Sequence, residues 1–429
     1  MIPKIKITLF LTGMLSLFLF MILIPFSHSQ EFDWSLKATA LTQMNGVAGS
    51  SQNPGNRFAT ISDMGMILAI KPDLSLAYED WQFMAKPRLE FEMNGYTIDG
   101  QTSDSSEASA DIIEFKLMHP LSENLFFSYG WENLQWGPSF LYSPSNPFFN
   151  DNGKKNLVQE IEGKGFLKLI LVHDFSWSSS LIINTDKGAF NEADFEKTYA
   201  LKIDYSGDTS YASVILSRTD NRETRLGGFA GTTLTDAVII YGEANFQQGT
   251  YGLFPKAIPG PLAWEINPSR ENDDTLYATL LTGASYTFES GDTVTAEYLY
   301  YGQGYDSDEV SDFNALKTTA QRFYASSTAL SGYGTRLLGN AATTHLDFLR
   351  KNYVMLQYVN EDIVTDLDLV SRVTFCLDDR SSQLYASLSH DLNDHIELKA
   401  SGMINTGGSN ASFGIFLDHQ VQMAVEYIF

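Results

Sequence analysis

The sequence predicts an all-β chain: a transmembrane, antiparallel, up-and-down β-barrel of about 18 strands, with 16 as the alternative count. Three observations carry this. Apolar and polar residues alternate with period two through most of the chain, which puts them on opposite faces of strands. Short turns alternate with long polar connections. After residue 29, no run of about 18 apolar residues remains to make a transmembrane helix.

The first 29 residues read as an export signal, leaving 30–429 as a single barrel domain. Lys4 and Lys6 form its basic start, Ile7 to Phe26 its apolar run, and Ser27 and Ser29 the small residues before a cut at Gln30. An uncleaved anchor is the alternative. Phe32 to Gly46 begins the first strand directly afterwards, with no plug or passenger domain before it.

The alternation is clearest at Val421–Phe429. Val421, Met423, Val425, Tyr427 and Phe429 share one face, and Gln422, Ala424 and Glu426 the other. In 197–205, Tyr199, Leu201, Ile203 and Tyr205 oppose Thr198, Ala200, Lys202 and Asp204. Segments 125–135, 366–377 and 396–404 repeat the pattern. A closed barrel with lipid outside and water inside accommodates so many half-apolar strands. Short turns are placed at 71–75, 121–124, 175–177, 206–208, 234–236, 290–292, 361–365 and 392–395. Longer loops are placed near 47–56, 97–107, 137–162, 186–196, 219–225, 249–273, 305–349, 378–381 and 406–414. Residues 76–95 are read as one long strand in which Pro87 marks a bulge or an edge. In the longest loop, Phe313, Leu316, Ala320 and Phe323 fall at helical spacing.

Composition narrows the function. Among 429 residues, 52 are acidic and 28 basic, a formal charge of −24, which excludes a nucleic-acid-binding surface of the usual basic kind. One cysteine, Cys376, excludes a disulfide framework and a cysteine-based zinc site. No CxxCH, HExxH, GxSxG or phosphate-loop pattern is present, so no enzyme and no cofactor is expected. A barrel hydrolase assembled across strands has no local motif to support it. The acids Asp306, Asp308, Glu309 and Asp312, and Glu271, Asp273 and Asp274, lack the spacing of a calcium loop and read as solvated loops, with no metal expected.

Two sets of residues stand out. On the predicted inner face, Lys86, Arg88, Glu90, Glu92 and Asn94 share one strand. Glu114, Lys116, Glu132, Lys164, Lys168, Lys202, Asp204, Glu297, Asp366, Asp368, Arg372, Lys399 and Glu426 point the same way, a nearly neutral set. Such charges can stiffen the wall as cross-strand ion pairs or set a transverse field that selects solutes. Arg88, Glu90, Glu92, Glu132, Asp368 and Arg372 are the selectivity candidates, with the acids Glu90, Glu92 and Asp368 as counter-charges to the two arginines. The second set is Trp136, Gly137, Pro138, Pro144, Asn146 and Pro147, in a stiff loop. That loop either folds into the lumen and narrows it, or makes an aromatic girdle and a rigid external turn.

Trp131–Ser139, then Ser143-Pro-Ser-Asn-Pro-Phe-Phe149, resembles a "WG" turn with an "SPxNPF"-like loop met in porin-like outer-membrane barrels of the capsule-assembly and alginate-export type. Asp379-Arg-Ser-Ser382, Gly407–Phe413 and the final Phe429 are similar too, so the resemblance covers about a third of the chain in short pieces. It implies a Gram-negative outer-membrane barrel, with Tyr427 and Phe429 as the C-terminal signal read by the barrel-assembly machinery. Its surroundings are then outer-membrane lipid and lipopolysaccharide. The expected function is a passive channel for small hydrophilic solutes or ions. The alternative is the sleeve of an export, capsule-assembly or electron-transfer complex with a periplasmic partner; a homo-oligomer is open in either case.

Overall fold

A computed structural model describes residues 30–149, 160–188, 195–220, 224–250, 252–268, 275–326, 329–408 and 410–429. Residues 1–29, read above as an export signal, and the acids Glu271, Asp273 and Asp274 lie outside them. Twenty strands follow in chain order. They are β1 Gln30–Val47, β2 Met64–Tyr78, β3 Trp81–Ile98, β4 Gln101–Ser122, β5 Leu125–Glu132, β6 Lys164–Val172 and β7 Trp177–Asp186. Next come β8 Thr198–Ser206, β9 Ser210–Thr219, β10 Thr224–Thr235, β11 Val238–Gln248, β12 Leu253–Ala257, β13 Trp264–Pro268 and β14 Leu276–Thr287. The last are β15 Thr293–Tyr301, β16 Asn352–Val364, β17 Leu367–Cys376, β18 Ser382–Asn393, β19 Ile396–Asn405 and β20 Leu417–Ile428.

Eighteen of these form one sheet in which every strand pairs antiparallel with its neighbour. β1 pairs with β20, Thr39 opposite Glu426, and closes the sheet on itself. β12 and β13 form a separate hairpin inside one loop. Closure removes the edges that an open sheet would expose in lipid.

The faces follow the period-two reading. Leu201, Val425 and Met423 are exposed on the outside, whereas Ala200 and Glu426 on the same strands are buried inside. An apolar outward band around a closed antiparallel barrel makes this a multi-pass barrel of the outer-membrane type. Aromatic residues cluster near the short turns: Trp81 stacks on His119, Trp177 lies tilted against Tyr205, and Tyr427 meets Phe429 edge to face at 4.6 Å. This is the girdle chemistry of a membrane interface. Leu201→Lys places a charge on this outer band. It is expected to cost about 2–4 kcal/mol if Leu201 lies at mid-bilayer depth, read as a lower urea midpoint for unfolding from vesicles.

Three boundaries differ most from the sequence reading. Residues 71–75 lie inside β2, and the turn is Glu79-Asp80, with Glu79 at φ 51°. The long strand read from 76 therefore divides into the end of β2 and the start of β3. Lys71-Pro-Asp73 resembles a turn because Pro72 does break something: pairing between β2 and β3 lapses from Ile70↔Leu89 to Leu74↔Ala85. Pro72 and Pro87, neither with an N–H to give, face that gap. The Pro87 bulge falls there, with Lys86 opposite Glu114 but Pro87 opposite Ile112. Second, 97–107 is no loop. β3 and β4 continue to a tight Asp99-Gly100 turn, because a polar ribbon keeps its backbone paired even where neither face is covered. Third, 249–273 contains the β12–β13 hairpin.

The longest connection holds two helices, α1 Ser307–Tyr324 and α2 Leu330–Ala342. Asp306 caps α1: its carboxylate accepts from Asp308 N and Glu309 N, while Glu309 accepts from Asp306 N. The acids of this loop are thus used at the positive end of a helix. α1 and α2 pack around Tyr305, Phe313, Leu316 and Leu338, with Ile266 of β13. Phe58, from the β1–β2 loop, joins through Tyr324 at 5.7 Å. These helices therefore tie together loops from well-separated parts of the rim.

Lys317 is fully buried in this cap, over the Phe313 ring and donating to Asn410 Oδ1 at 3.1 Å. Burial pulls its ammonium down from 10.5 to about 8. The charged form is disfavoured in the packed cap. Cap stability is therefore greatest above pH 10.5, falls as pH drops towards 8, and stays low below that. Lys317→Met should remove this dependence and stabilise the cap by about 3 kcal/mol, measured by hydrogen exchange of 307–342 from pH 7 to 11.

Candidate functional site

The loop between β5 and β6 enters the lumen. Two carboxylates on the opposite wall hold it. Glu243 of β11, 3% exposed, accepts from Ser139 Oγ (2.9 Å), Ser143 Oγ (2.6 Å), Ser145 N (3.0 Å) and Ser145 Oγ (2.7 Å). Glu297 of β15 accepts from the backbone N–H groups of Phe140 (2.7 Å) and Leu141 (2.8 Å) and from Tyr241 Oη (2.7 Å). Buried carboxylates of this kind require several donors, and the loop supplies them.

The six loop residues singled out from sequence lie in or beside this contact. Gly137 has φ 85°, and a Cβ there would stand 2.6 Å from a Glu243 carboxylate oxygen. Only glycine suits both the backbone and the approach. Trp136 packs against Phe148, with Lys202 Nζ over its ring at 5.5 Å. Asn146 fastens the loop to itself, donating to Leu134 O and accepting from Phe148 N. Pro144 is buried; Pro138 and Pro147 are half-buried. These contacts set the described residues 136–149 of the loop against inward-facing groups of the wall.

Its apolar side chains cover the apolar parts of the inner wall. Phe148 and Trp136 meet Phe166, Ile182, Ala200 and Ile215 on β6 to β9. Leu141, with Phe140 and Tyr142, meets Leu281, Leu299, Tyr353 and Met355 on β14 to β16. Tyr142 reaches the long β15–β16 loop, donating to Asp347 Oδ2 at 2.7 Å; burial and that carboxylate push its hydroxyl well above 10. Inward leucines in a water-filled barrel are unfavourable unless covered, and this loop covers them.

Many of the inward bases are ion-paired along the wall. Lys86 meets Glu114, and Lys399 meets Glu397 and Glu426. Lys202 meets Asp204. Glu132 is shared by Lys168 at 2.7 Å and Lys116 at 3.4 Å. These pairs favour the wall-stiffening role for those residues.

The two arginines are placed differently from expectation. Arg88, 2% exposed, does not use Glu90 or Glu92 as counter-charge. It pairs with Asp73 at 2.8 Å and with both oxygens of Glu160. Its Nη1 donates to Pro72 O (2.8 Å) and Pro87 O (2.9 Å), two carbonyls at the gap between β2 and β3. The guanidinium therefore bridges the proline break and fastens the tail of the loop to the wall. Burial alone would raise the Glu160 carboxyl, but Arg88 holds it below its usual range. Arg372, 8% exposed, donates to Gln357 Oε1 at 2.9 and 2.5 Å and lies over Tyr385 at 6.0 Å. Its expected partner Asp368 is exposed at the short-turn end, among Glu361, Asp362 and Asp391. Arg88 on β3 and Arg372 on β17 are six strands apart around the barrel, so they do not form one site.

What β1 to β4 do form is a recess of about 320 Å³, lined by inward residues that include Thr39, Lys71, Arg88, Glu90, Glu92 and Asp111. Glu160 and Glu162 close it from the loop side. Burial, with Asp111 and Glu90 nearby, pushes the Glu162 carboxyl up. Tyr427 and Phe429 lie outside the lumen, exposed on the outer face and at the chain end.

Among the described residues, no group of three or more His, Cys, Asp or Glu could hold a metal ion. Sequence reasoning missed Glu243 as an anchor. Its only local signal is an isolated acid in the apolar and small stretch Val238–Phe246.

No protein-family model and no curated protein sequence matches this chain. Solved structures do. Acinetobacter baumannii OccAB1 is similar at TM-score 0.57 and 10% identity, over 94% of this chain and 97% of that one. Pseudomonas aeruginosa OccK5 (OpdH) is similar at 0.55 and 10%, over 93% and 98%. Pseudomonas aeruginosa OccK11 (OpdR) is similar at 0.54 and 11%, over 93% and 96%. The shared fold is the closed 18-stranded barrel of outer-membrane porins.

Proposed function

We propose that this barrel is a passive outer-membrane channel for small hydrophilic solutes or ions, without enzymatic activity. One observation carries the reading: the β5–β6 loop lies inside the lumen on Glu243 and Glu297 and covers apolar wall on β6 to β9 and β14 to β16. The wall of β1 to β4 is left lined with charge. A loop so placed narrows a conduit and leaves one polar side for solute. In this reading Glu90, Glu92 and Asp368 act on the solute directly, whereas Arg88, Glu132 and Arg372 shape the wall. Tyr427 and Phe429 serve as the insertion signal.

The test is steady conductance of the refolded chain in a planar bilayer under a salt gradient. The expected result is a stable open level with a measurable reversal potential. A folded barrel that conducts nothing on its own overturns the reading and favours a sleeve that needs a periplasmic partner.

A further inference from the structure

Several features of the recess between β1 and β4 are explained neither by the wall nor by the loop. Glu90, Glu92, Asp111 and Glu162 all line it, and none of the four makes an ion pair with a described residue. Glu92 has only the side-chain amide of Asn94, at 2.6 Å. Two bases, Lys71 and Arg88, share the recess with five acids, Glu160 included. Arg88 donates to Asp73, Glu160, Pro72 O and Pro87 O, and Lys71, 5% exposed, has interactions of its own.

A second, independent observation comes from the opposite side of the recess. Thr39 is 4% exposed, faces inward from β1, and its hydroxyl has no hydrogen-bond partner. A buried polar atom left alone is costly, and native folds supply it with a partner. The Thr39 hydroxyl can accept as well as donate, and the four carboxylates that face the same space only accept. The recess therefore carries a surplus of acceptors and of negative charge over its two bases.

A metal ion fits poorly, because no three acids among the described residues stand close enough to share one. A cation that carries its own N–H groups on an extended frame fits better, since it can meet separate acceptors one by one. The volume of about 320 Å³ admits a head group with a few carbons.

We propose that this recess is a binding subsite for a small organic cation, whose N–H groups meet Glu90, Glu92, Asp111, Glu162 and Thr39 at separate points. It rests on the channel reading in one respect: the solute reaches the recess from the lumen.

The test is isothermal titration of the refolded full chain with agmatine, which carries one group of each kind. Glutarate, an anion of similar length, and Mg²⁺ are titrated in parallel. Saturable binding of agmatine, weakening as KCl is raised and absent for glutarate, is expected. The double variant Glu90→Gln, Glu162→Gln should weaken it at least tenfold, and Thr39→Val a few-fold. Glu289→Gln, in an exposed turn, should leave it unchanged, and heat-modifiable gel mobility checks that each variant is folded. No saturable binding, binding indifferent to the recess variants, or Mg²⁺ displacing agmatine at equal concentration overturns the subsite. Conductance is recorded on the same preparations. Conductance without agmatine binding removes the subsite and keeps the channel, whereas binding without conductance does the reverse.

Discussion

Glu243→Ala should free the lumen loop and raise single-channel conductance severalfold. The carboxylate accepts from three serine hydroxyls and one backbone N–H. Hydrogen bonds to a charged group contribute about 1.5–3 kcal/mol each when removed singly. They are not additive, and lumen water will meet part of the loss, so about 3 kcal/mol overall is expected in urea unfolding. Glu243→Gln keeps one acceptor oxygen and should fall between wild type and alanine in both readouts. An unchanged conductance in the alanine variant would show that this loop does not limit the pathway.

Phe166→Ala should cost about 3–5 kcal/mol of stability, as deletion of a large buried ring does. Phe166 is 0% exposed, although it points into the barrel, because Phe148 of the loop covers it at 4.9 Å between ring centres. The same substitution logic on the outer face gives a different number. Leu216→Ala, at a side chain 48% exposed, should cost under about 1 kcal/mol, since lipid tails replace the lost contacts. Urea titration from vesicles compares the two. Equal losses would mean that the loop does not pack as described.

The barrel was legible because its physics is local. Each strand must present apolar groups to lipid and smaller or polar ones inward, so Val421 to Phe429 declares its faces without reference to any other segment. The alternation of turns and loops is local too. Reading failed where a residue's meaning depends on a distant partner. Pro72 looked like a turn because its partner in the ladder gap, Pro87, is fifteen residues away and the two are reconciled by Arg88. The polar run after Gly100 looked like a loop because polarity says nothing about whether backbone is paired. α2, rich in glycine, owes its helix to packing against α1 rather than to propensity. The candidate site divides the same way. The loop Trp136 to Pro147 announced itself through Gly and Pro, and the inward charges through parity. Their partners did not: Glu243 lies about a hundred residues beyond the serines it holds, and Glu160 seventy-two beyond Arg88.

Those separations also order the chain's assembly in time. Hairpins can zip one after another, but the lumen loop has no carboxylate to hold it until β11 and then β15 exist, with Glu297 157 residues after Phe140. Sealing comes from the two extremes of the sequence, where Gln422 of β20 reaches Gln43 of β1 across 379 residues. Once that seam shuts, Trp136 and Phe148 are enclosed by a continuous wall. The cylinder is therefore raised around its own filling, as staves are set around a cask's contents. An unfinished chain lacking its last strands would hold the same aromatic cargo behind an open side.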